Sequence, residues 1–454
     1  MVFSKKSQWL GLLVLALALS GCDKQTSTLP SNNAEMTIEQ DILAAQKALS
    51  RYFKQEFVPS DDVGATAAGV ERIVAANNDF AFNMYQKLSQ NDDNLLFSPY
   101  GLSSAMMLGY AAAQGQTYEE IKEGFFYPPM EEMLPNTAAI YNQLNRPNPD
   151  YSLASSNKLW VQQELSPTKD YLETVTRYLG AQVTPVDFIK DRASARQTIN
   201  KAISEQTNAR IPELLSDSAV NESTRNILTN ALYFKGTWAN EFFAENTKPE
   251  PFHVFESSHD KASVPTVDMI YQNNTFNYTE DQHAQVIELP YKGDSLSMMV
   301  VLPKATDKSS MERLSASLTA DKVRAWRDQF DYKNVDLYLP KLKLSMNYEL
   351  AEVLGSMGMP TAFSAAADFS MFSSSSQLVF DKVIHQAVIE VDEMGTEAAE
   401  TALVIDASTA EAPVAPVVFK ADHPFIFFIY DKQINTVLFM GKMMMPPASS
   451  VTSD

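Results

Sequence analysis

One cysteine in 454 residues cannot form an internal disulfide, so this chain must be held together by packing and hydrogen bonding. Basic residues are also outnumbered: 36 Lys and Arg stand against 56 Asp and Glu, giving a formal charge of -20 that is dispersed rather than run together. Such a balance repels phosphate backbones and excludes nucleic acid as a partner. The common catalytic signatures are missing too. There is no Gly-x-Ser-x-Gly elbow, no His-Glu-x-x-His helix, no Gly-x-x-x-x-Gly-Lys cradle and no Cys pair. No two of the five histidines, His253, His259, His283, His385 and His423, share metal-ligand spacing on a predicted helix. The expectation is a protein without catalytic residues, metal or cofactor. What is present is a hydrophobic fraction of 45%, enough for a substantial core.

The position of the lone cysteine is informative. Lys5 and Lys6 precede an apolar run from Leu10 to Leu19, and Leu19-Ser20-Gly21-Cys22 closes it. The run is too short to span a bilayer as a helix. Its end resembles the bacterial lipobox, which implies lipidation at Cys22, a membrane anchor and residence in the cell envelope of a bacterium. Asp23 favours the periplasmic face of the inner membrane over the cell surface. Residues 1–22 are read as signal. Residues 23–74 are read as a polar tether, Gln25 to Asn33, followed by an accessory helix carrying Ile38, Ala45 and Leu49.

Further along, Phe80, Met84 and Leu88 have helical spacing behind the capping candidates Asn78 and Asp79. Ser98-Pro99 supplies a cap and a first-turn proline for a second helix with Leu102, Met106 and Tyr110 on one face. Val286 to Pro290 and Ser295 to Leu302 flank a turn, and Phe425 to Tyr430 pairs through Asp431–Asn435 with Thr436 to Met440. Asn347 is expected to cap a helix with Leu350, Val353, Leu354 and Met357, stopped by Gly358. Helices gather early and strands late without repeats, so the fold class is α+β.

Val383, His385, Ala387, Ile389 and Val391 share one face of a period-two strand, where a buried imidazole needs a hydrogen-bond partner. That strand runs into Val391-Asp392-Glu393-Met394-Gly395-Thr396-Glu397-Ala398-Ala399-Glu400-Thr401-Ala402, which resembles the hinge of the serpins. Asn94 onward (NLLFSPYGLSSAMMLGYAA), Asn226 onward (NILTNALYFKGTW), Glu288 onward (ELPYKGDSLSMMVVLP), the run ADFSMF and Ala421 onward (ADHPFIFFIYDKQINTVLFMGK) resemble the family in the same order. The resemblance implies a serpin domain over residues 75–447 with a flexible tail at 448–454. It implies three β-sheets, about eight or nine helices and an exposed reactive-centre loop.

The family mechanism would make this chain a suicide substrate of a serine protease, or of a cysteine protease, and a monomer. Cleavage of the loop frees the hinge, which inserts into the largest sheet and drags the acylated protease with it. The resemblance assigns Glu393, Gly395, Thr396, Glu397, Ala398, Ala399 and Glu400 to the hinge. It assigns Ser98, Asn230 and His385 to the shutter beneath the parting strands, with Gly101 replacing a frequent second serine. Thr396, Ala398, Glu400 and Ala402 would point inward. Glu400 departs from the usual small residue, and protonating it at pH 7 would cost about 3.7 kcal/mol. Family spacing places the reactive bond at Thr409-Ala410. No Lys, Arg, Phe, Tyr or Trp occurs from Thr396 to Val418, which suits a shallow elastase-like pocket. The alternative is a non-inhibitory serpin serving as a protease substrate, carrier or interaction protein.

Overall fold

The computed structural model describes residues 57–207, 209–255, 264–373, 378–393 and 415–446. Among these residues the helices are α1 (Ala67–Leu88), α2 (Pro99–Tyr110), α3 (Gly115–Gly124), α4 (Met130–Asn145), α5 (Lys169–Tyr178), α6 (Arg192–Gln206), α7 (Lys308–Ser317), α8 (Ala320–Asp328) and α9 (Ala351–Ser356). Strands β2 (Tyr151–Gln162), β3 (Gln182–Val186), β4 (Asn226–Gly236), β10 (Leu342–Glu349) and β11 (Val383–Val391) make a five-stranded sheet in the order β10-β11-β4-β2-β3.

The second sheet is nine-stranded. It contains β1 (Leu95–Phe97), β5 (Lys248–Pro251), β6 (Thr266–Glu280), β7 (Ala284–Pro290), β8 (Leu296–Pro303), β9 (Asp331–Pro340), β12 (Val417–Lys420), β13 (Phe425–Asp431) and β14 (Val437–Met443). Its order is β1-β14-β13-β8-β7-β6-β9-β12, with β5 also on β6. The fold is α+β. Where the resemblance implied three sheets, hydrogen bonds run continuously through two of them. The long strand β6 explains this, because its Met269 to Tyr278 pair with β9 and its Asn277 to Glu280 pair with β7.

Local sequence accounts for most boundaries. Ser98 caps α2 by accepting the Gly101 amide at 2.9 Å, and Pro99 takes the first turn, where its missing N–H costs nothing. The turn between β7 and β8 places Gly293 and Asp294 at φ 78° and 54°, a conformation suited to glycine and tolerated by aspartate.

Two expectations fail. Helix α1 starts at Ala67 under a Thr66 cap, so Asn78 and Asp79 lie mid-helix. Asn78 instead holds the final hairpin, donating to the Asn435 carbonyl at 2.8 Å and accepting from the Val437 amide at 2.9 Å. Asn347 caps nothing. It belongs to β10, and α9 begins after Leu350 because pairing with β11 continues to Glu349. Gly358, at φ 104°, does end that segment.

The packed body also reaches back before residue 75. The Asn142 side chain bonds both backbone groups of Ser60, the Thr66 amide donates to Asn136, and Asp61 pairs with Arg177, tying residues 60–66 to α4 and α5. Cys22 and the accessory helix lie outside the described residues.

Two apolar clusters flank the five-stranded sheet. The large one contains Val383, Ala387, Ile389 and Val391 of β11 with Leu228, Leu232 and Phe234 of β4, and extends into α1, α2 and the second sheet. The smaller one, on the outer face, packs Ile199 and Ile203 of α6 and the following Ile211, Leu214 and Leu215 against Ile227, Ala231, Ile384 and Val388. Alternate residues of each strand therefore serve opposite clusters.

Candidate functional site

The centre of the five-stranded sheet is its one parallel joint apart from β2/β3. Val383 to Ile389 of β11 pair with Leu228 to Phe234 of β4, while β10/β11 and β2/β4 are antiparallel. Parallel ladders bond at a slant and are slightly less stable per residue. Beyond Ile389/Phe234 the pairing stops, and β11 ends at Val391, where the chain departs for residues 394–414. It returns at β12, which pairs with β9 at the edge of the other sheet.

A polar row crosses this seam in register. His385 is opposite Asn230, and Asn230 is opposite Asn157 of β2. The Ser98 amide donates to His385 Nε2 at 3.0 Å, so Nε2 is an acceptor and Nδ1 carries the proton. That Nδ1–H donates to Asn230 Oδ1 at 2.6 Å, and the Asn230 amide nitrogen donates to Asn157 Oδ1 at 2.6 Å. The Ser98 hydroxyl donates to the Leu438 carbonyl of β14 at 2.6 Å. Ser98 and His385 are fully buried, and Asn230 nearly so. Burial lowers the His385 pKa from 6.5 to about 3, keeping the imidazole neutral.

The structure thus brings Ser98, Asn230 and His385 into one hydrogen-bonded chain, and adds Asn157. A polar residue among the inward-facing Leu153, Leu159 and Val161 of β2 is the same signal that singles out His385, and reading it there would have found Asn157. Gly101 also has its reason. A Cβ at that position would lie 2.5 Å from Asn230 Oδ1, so the Asn230 amide occupies the space a serine would need.

Glu393 is the one hinge residue within the described part. The Phe242 amide donates to its carbonyl at 2.8 Å, Thr247 Oγ1 donates to Oε1 at 2.8 Å, and Lys341 Nζ lies 3.0 Å from Oε2. Burial alone would raise the Glu393 pKa, but its own backbone N–H, Lys341 and Thr247 outweigh that and hold it below the ordinary value. Trp238 Nε1 donates to the neighbouring Asp392 carbonyl at 2.9 Å. The end of β11 is therefore pinned by side chains from three other segments. Gly395, Thr396, Glu397, Ala398, Ala399, Glu400 and the Thr409-Ala410 bond lie outside the described residues.

Residues 75–446 match the family model described as Serpin (serine protease inhibitor). The chain belongs to the serpin family. It is 36% identical over 377 residues to an uncharacterized serpin-like protein of Methanosarcina acetivorans, covering 82% of this chain and 86% of that one. It is 34% identical over 391 residues to the leukocyte elastase inhibitor of Xenopus laevis, covering 83% of this serpin and all of the relative. Thyroxine-binding globulin, solved in complex with thyroxine, superposes with a TM-score of 0.73 at 28% identity, covering 82% of this serpin and 99% of that chain. The serpin family is one of protease inhibitors rather than catalysts.

Proposed function

We propose that this serpin is a suicide-substrate inhibitor of elastase-like serine endopeptidases, tethered in a bacterial cell envelope through Cys22. The observation that carries the reading is the parallel seam between β4 and β11, from whose open end the chain continues directly into the loop. A segment folding back from that end would run antiparallel to both neighbours. It would replace one parallel ladder with two antiparallel ones, a net gain in hydrogen bonding. The intact form is then a kinetic trap that cleavage releases.

In this mechanism the protease serine attacks the carbonyl of Thr409, expels the amine of Ala410 and is left as an ester on the loop. Insertion of Thr396, Ala398, Glu400 and Ala402 toward the core carries the ester and enzyme away before water resolves it. His385 and Asn230 must separate as the new strand passes between them, so their bond resists premature opening. Glu400 would slow insertion by its desolvation and let part of the protease escape as product. That residue, with the fold shared by thyroxine-binding globulin, supports the second reading of a non-inhibitory carrier.

The test is incubation of the protein lacking residues 1–22 with an elastase, followed by a denaturing gel. A covalent band at the summed mass, with the loop cut near Thr409, is the expected result. Cleaved serpin alone, against several proteases, would favour the second reading, and Glu400→Ala would then show whether the carboxylate is responsible. For the anchor, radiolabelled fatty acid should enter the full chain and not Cys22→Ala.

A further inference from the structure

Asn347, which caps no helix, has a different assignment. It lies on the outer face of β10, one row from the His385 row and opposite Gln386 of β11. Its side-chain nitrogen donates to the Leu214 carbonyl at 2.8 Å. Leu214 belongs to the segment that follows α6, and this segment runs across the outer face of the seam. On the near side it is fixed to α6 by Asn200, whose Oδ1 accepts the amides of Leu214 and Leu215 at 3.0 and 2.8 Å and whose Nδ2 donates to the Leu215 carbonyl at 2.9 Å. Helix α6 is in turn fixed to β2 through Gln206 and Ser156, and through Trp160 in the outer cluster. On the far side the segment reaches β10 through Asn347 and lies near β11 through Arg210, 3.6 Å from Glu390.

The strap is therefore anchored to β2 on one side of the β4/β11 seam and to β10 on the other. A strand inserted into that seam moves these anchors apart by about 4.8 Å, the spacing of neighbouring strands. A hydrogen bond cannot survive that displacement while its other anchor holds. Asn200 makes three bonds into the strap, and the outer cluster holds α6 to β2. On the far side the strap has one hydrogen bond, from Asn347, beside the solvent-screened Arg210–Glu390 pair and apolar contacts that can slide, so the Asn347 bond is the directional link that must break. We propose that Asn347 is a positioning residue for strand insertion: its bond to the Leu214 carbonyl latches the strap across the seam and must open before the sheet can accept the loop. Asn347 is itself exposed, so water replaces the lost partner and the variant loses little else.

The inference rests on the inhibitory reading, since it needs a sheet that opens, and the experiment separates the two. The protein lacking residues 1–22 is cleaved within the loop by a protease, and the rate at which the cut chain acquires resistance to thermal unfolding is followed. The same measurement is made on Asn347→Asp, Asn347→Ala and the neighbouring outward-facing control Ser345→Ala. Asn347→Asp keeps the shape but puts an acceptor against the carbonyl. It should insert about tenfold faster than the parent, Asn347→Ala about fivefold faster, and Ser345→Ala at the parent rate. A matching rise should appear in the fraction of protease trapped rather than released. If the parent gains resistance but both Asn347 variants insert at its rate, the latch is overturned, whatever their melting temperatures. If the parent gains no resistance on cleavage, the inhibitory reading fails and takes the latch with it.

Discussion

The two sheets of this serpin draw on similar residues but join their strands differently. Inside the nine-stranded sheet, β8, β13 and β14 are antiparallel and buried at every position, with Ile426 to Ile429 flanked by Val301 to Met298 and by Lys442 to Phe439. At the middle of the five-stranded sheet, β11 meets β4 in parallel, and the joint carries a file of polar side chains from Ser98 to Asn157. An apolar antiparallel centre has no arrangement better than the one it holds. A parallel seam closed by a few hydrogen bonds does, provided another strand is at hand. On the inhibitory reading, metastability would thus be a local property of one seam, and the other sheet a fixed wall against which it opens.

Removing a large side chain from each centre should expose that difference most strongly. Phe428, almost fully buried on β13 and 5.8 Å from the ring of Phe82, fills a region that insertion does not alter. Phe428→Ala should cost about 3–5 kcal/mol in denaturant unfolding of both the uncleaved and the cleaved protein. Asn230→Ala leaves the His385 Nδ1–H and the Asn157 carbonyl without their partner, and should cost about 1–3 kcal/mol in the uncleaved form. Its cost in the cleaved form should be much smaller, because insertion has already parted the pair. Equal losses in both forms for Asn230→Ala would mean that the seam is not where the two states differ.

Much of this contrast is legible in the sequence, for an identifiable reason. The all-apolar run of β13 and the alternation of β11 reflect burial on two faces and on alternate faces, and burial dictates residue type strongly. His385 stands out because a polar group on an apolar face needs an explanation. What was not legible was partnership at a distance. Nothing local marks Asn78 as a clasp for the final hairpin, because its helix began eleven residues earlier at a Thr66 cap that the pattern did not register. Asn347 reads as a helix cap because Asn commonly is one, whereas pairing with β11 carries β10 past it. The role of Gly101 depends on the Asn230 amide filling its space, a fact of three-dimensional packing alone.

Acidification should act on the seam next. His385 has its pKa lowered from 6.5 to about 3 by burial, so between these values the unfolded chain takes up a proton that the native form refuses. Its contribution to stability is complete above pH 6.5 and is lost as the pH falls toward 3. The loss is about 1.4 kcal/mol per pH unit, or roughly 2 kcal/mol between pH 6.5 and 5. Urea unfolding of the uncleaved protein across that range should show this slope, and His385→Gln should lack it. The Phe428→Ala variant should keep it, since Phe428 packs against Phe82 and makes no hydrogen bond to the His385 row.

The smallest effect belongs to the top of the seam. Lys341 is over a third exposed while Glu393 is largely buried, so solvent screens the pair and its loss should cost under about 1 kcal/mol. Lys341→Gln should let the Glu393 carboxyl titrate nearer its ordinary range, because burial then opposes ionisation with one fewer partner. A carboxylate held low stabilises above its unfolded pKa and stops doing so as pH falls through its folded value, so the variant should lose that support at a higher pH than the parent. The Phe242 amide and Thr247 remain, which is why the end of β11 should loosen rather than detach. Spontaneous insertion in the uncleaved protein, followed at neutral pH by the growth of a form resistant to urea, should speed up by a few-fold at most. A much larger acceleration would mean that Lys341, and not the buried row around His385, is the main restraint on the seam, and would move the control of opening from the middle of the sheet to its end.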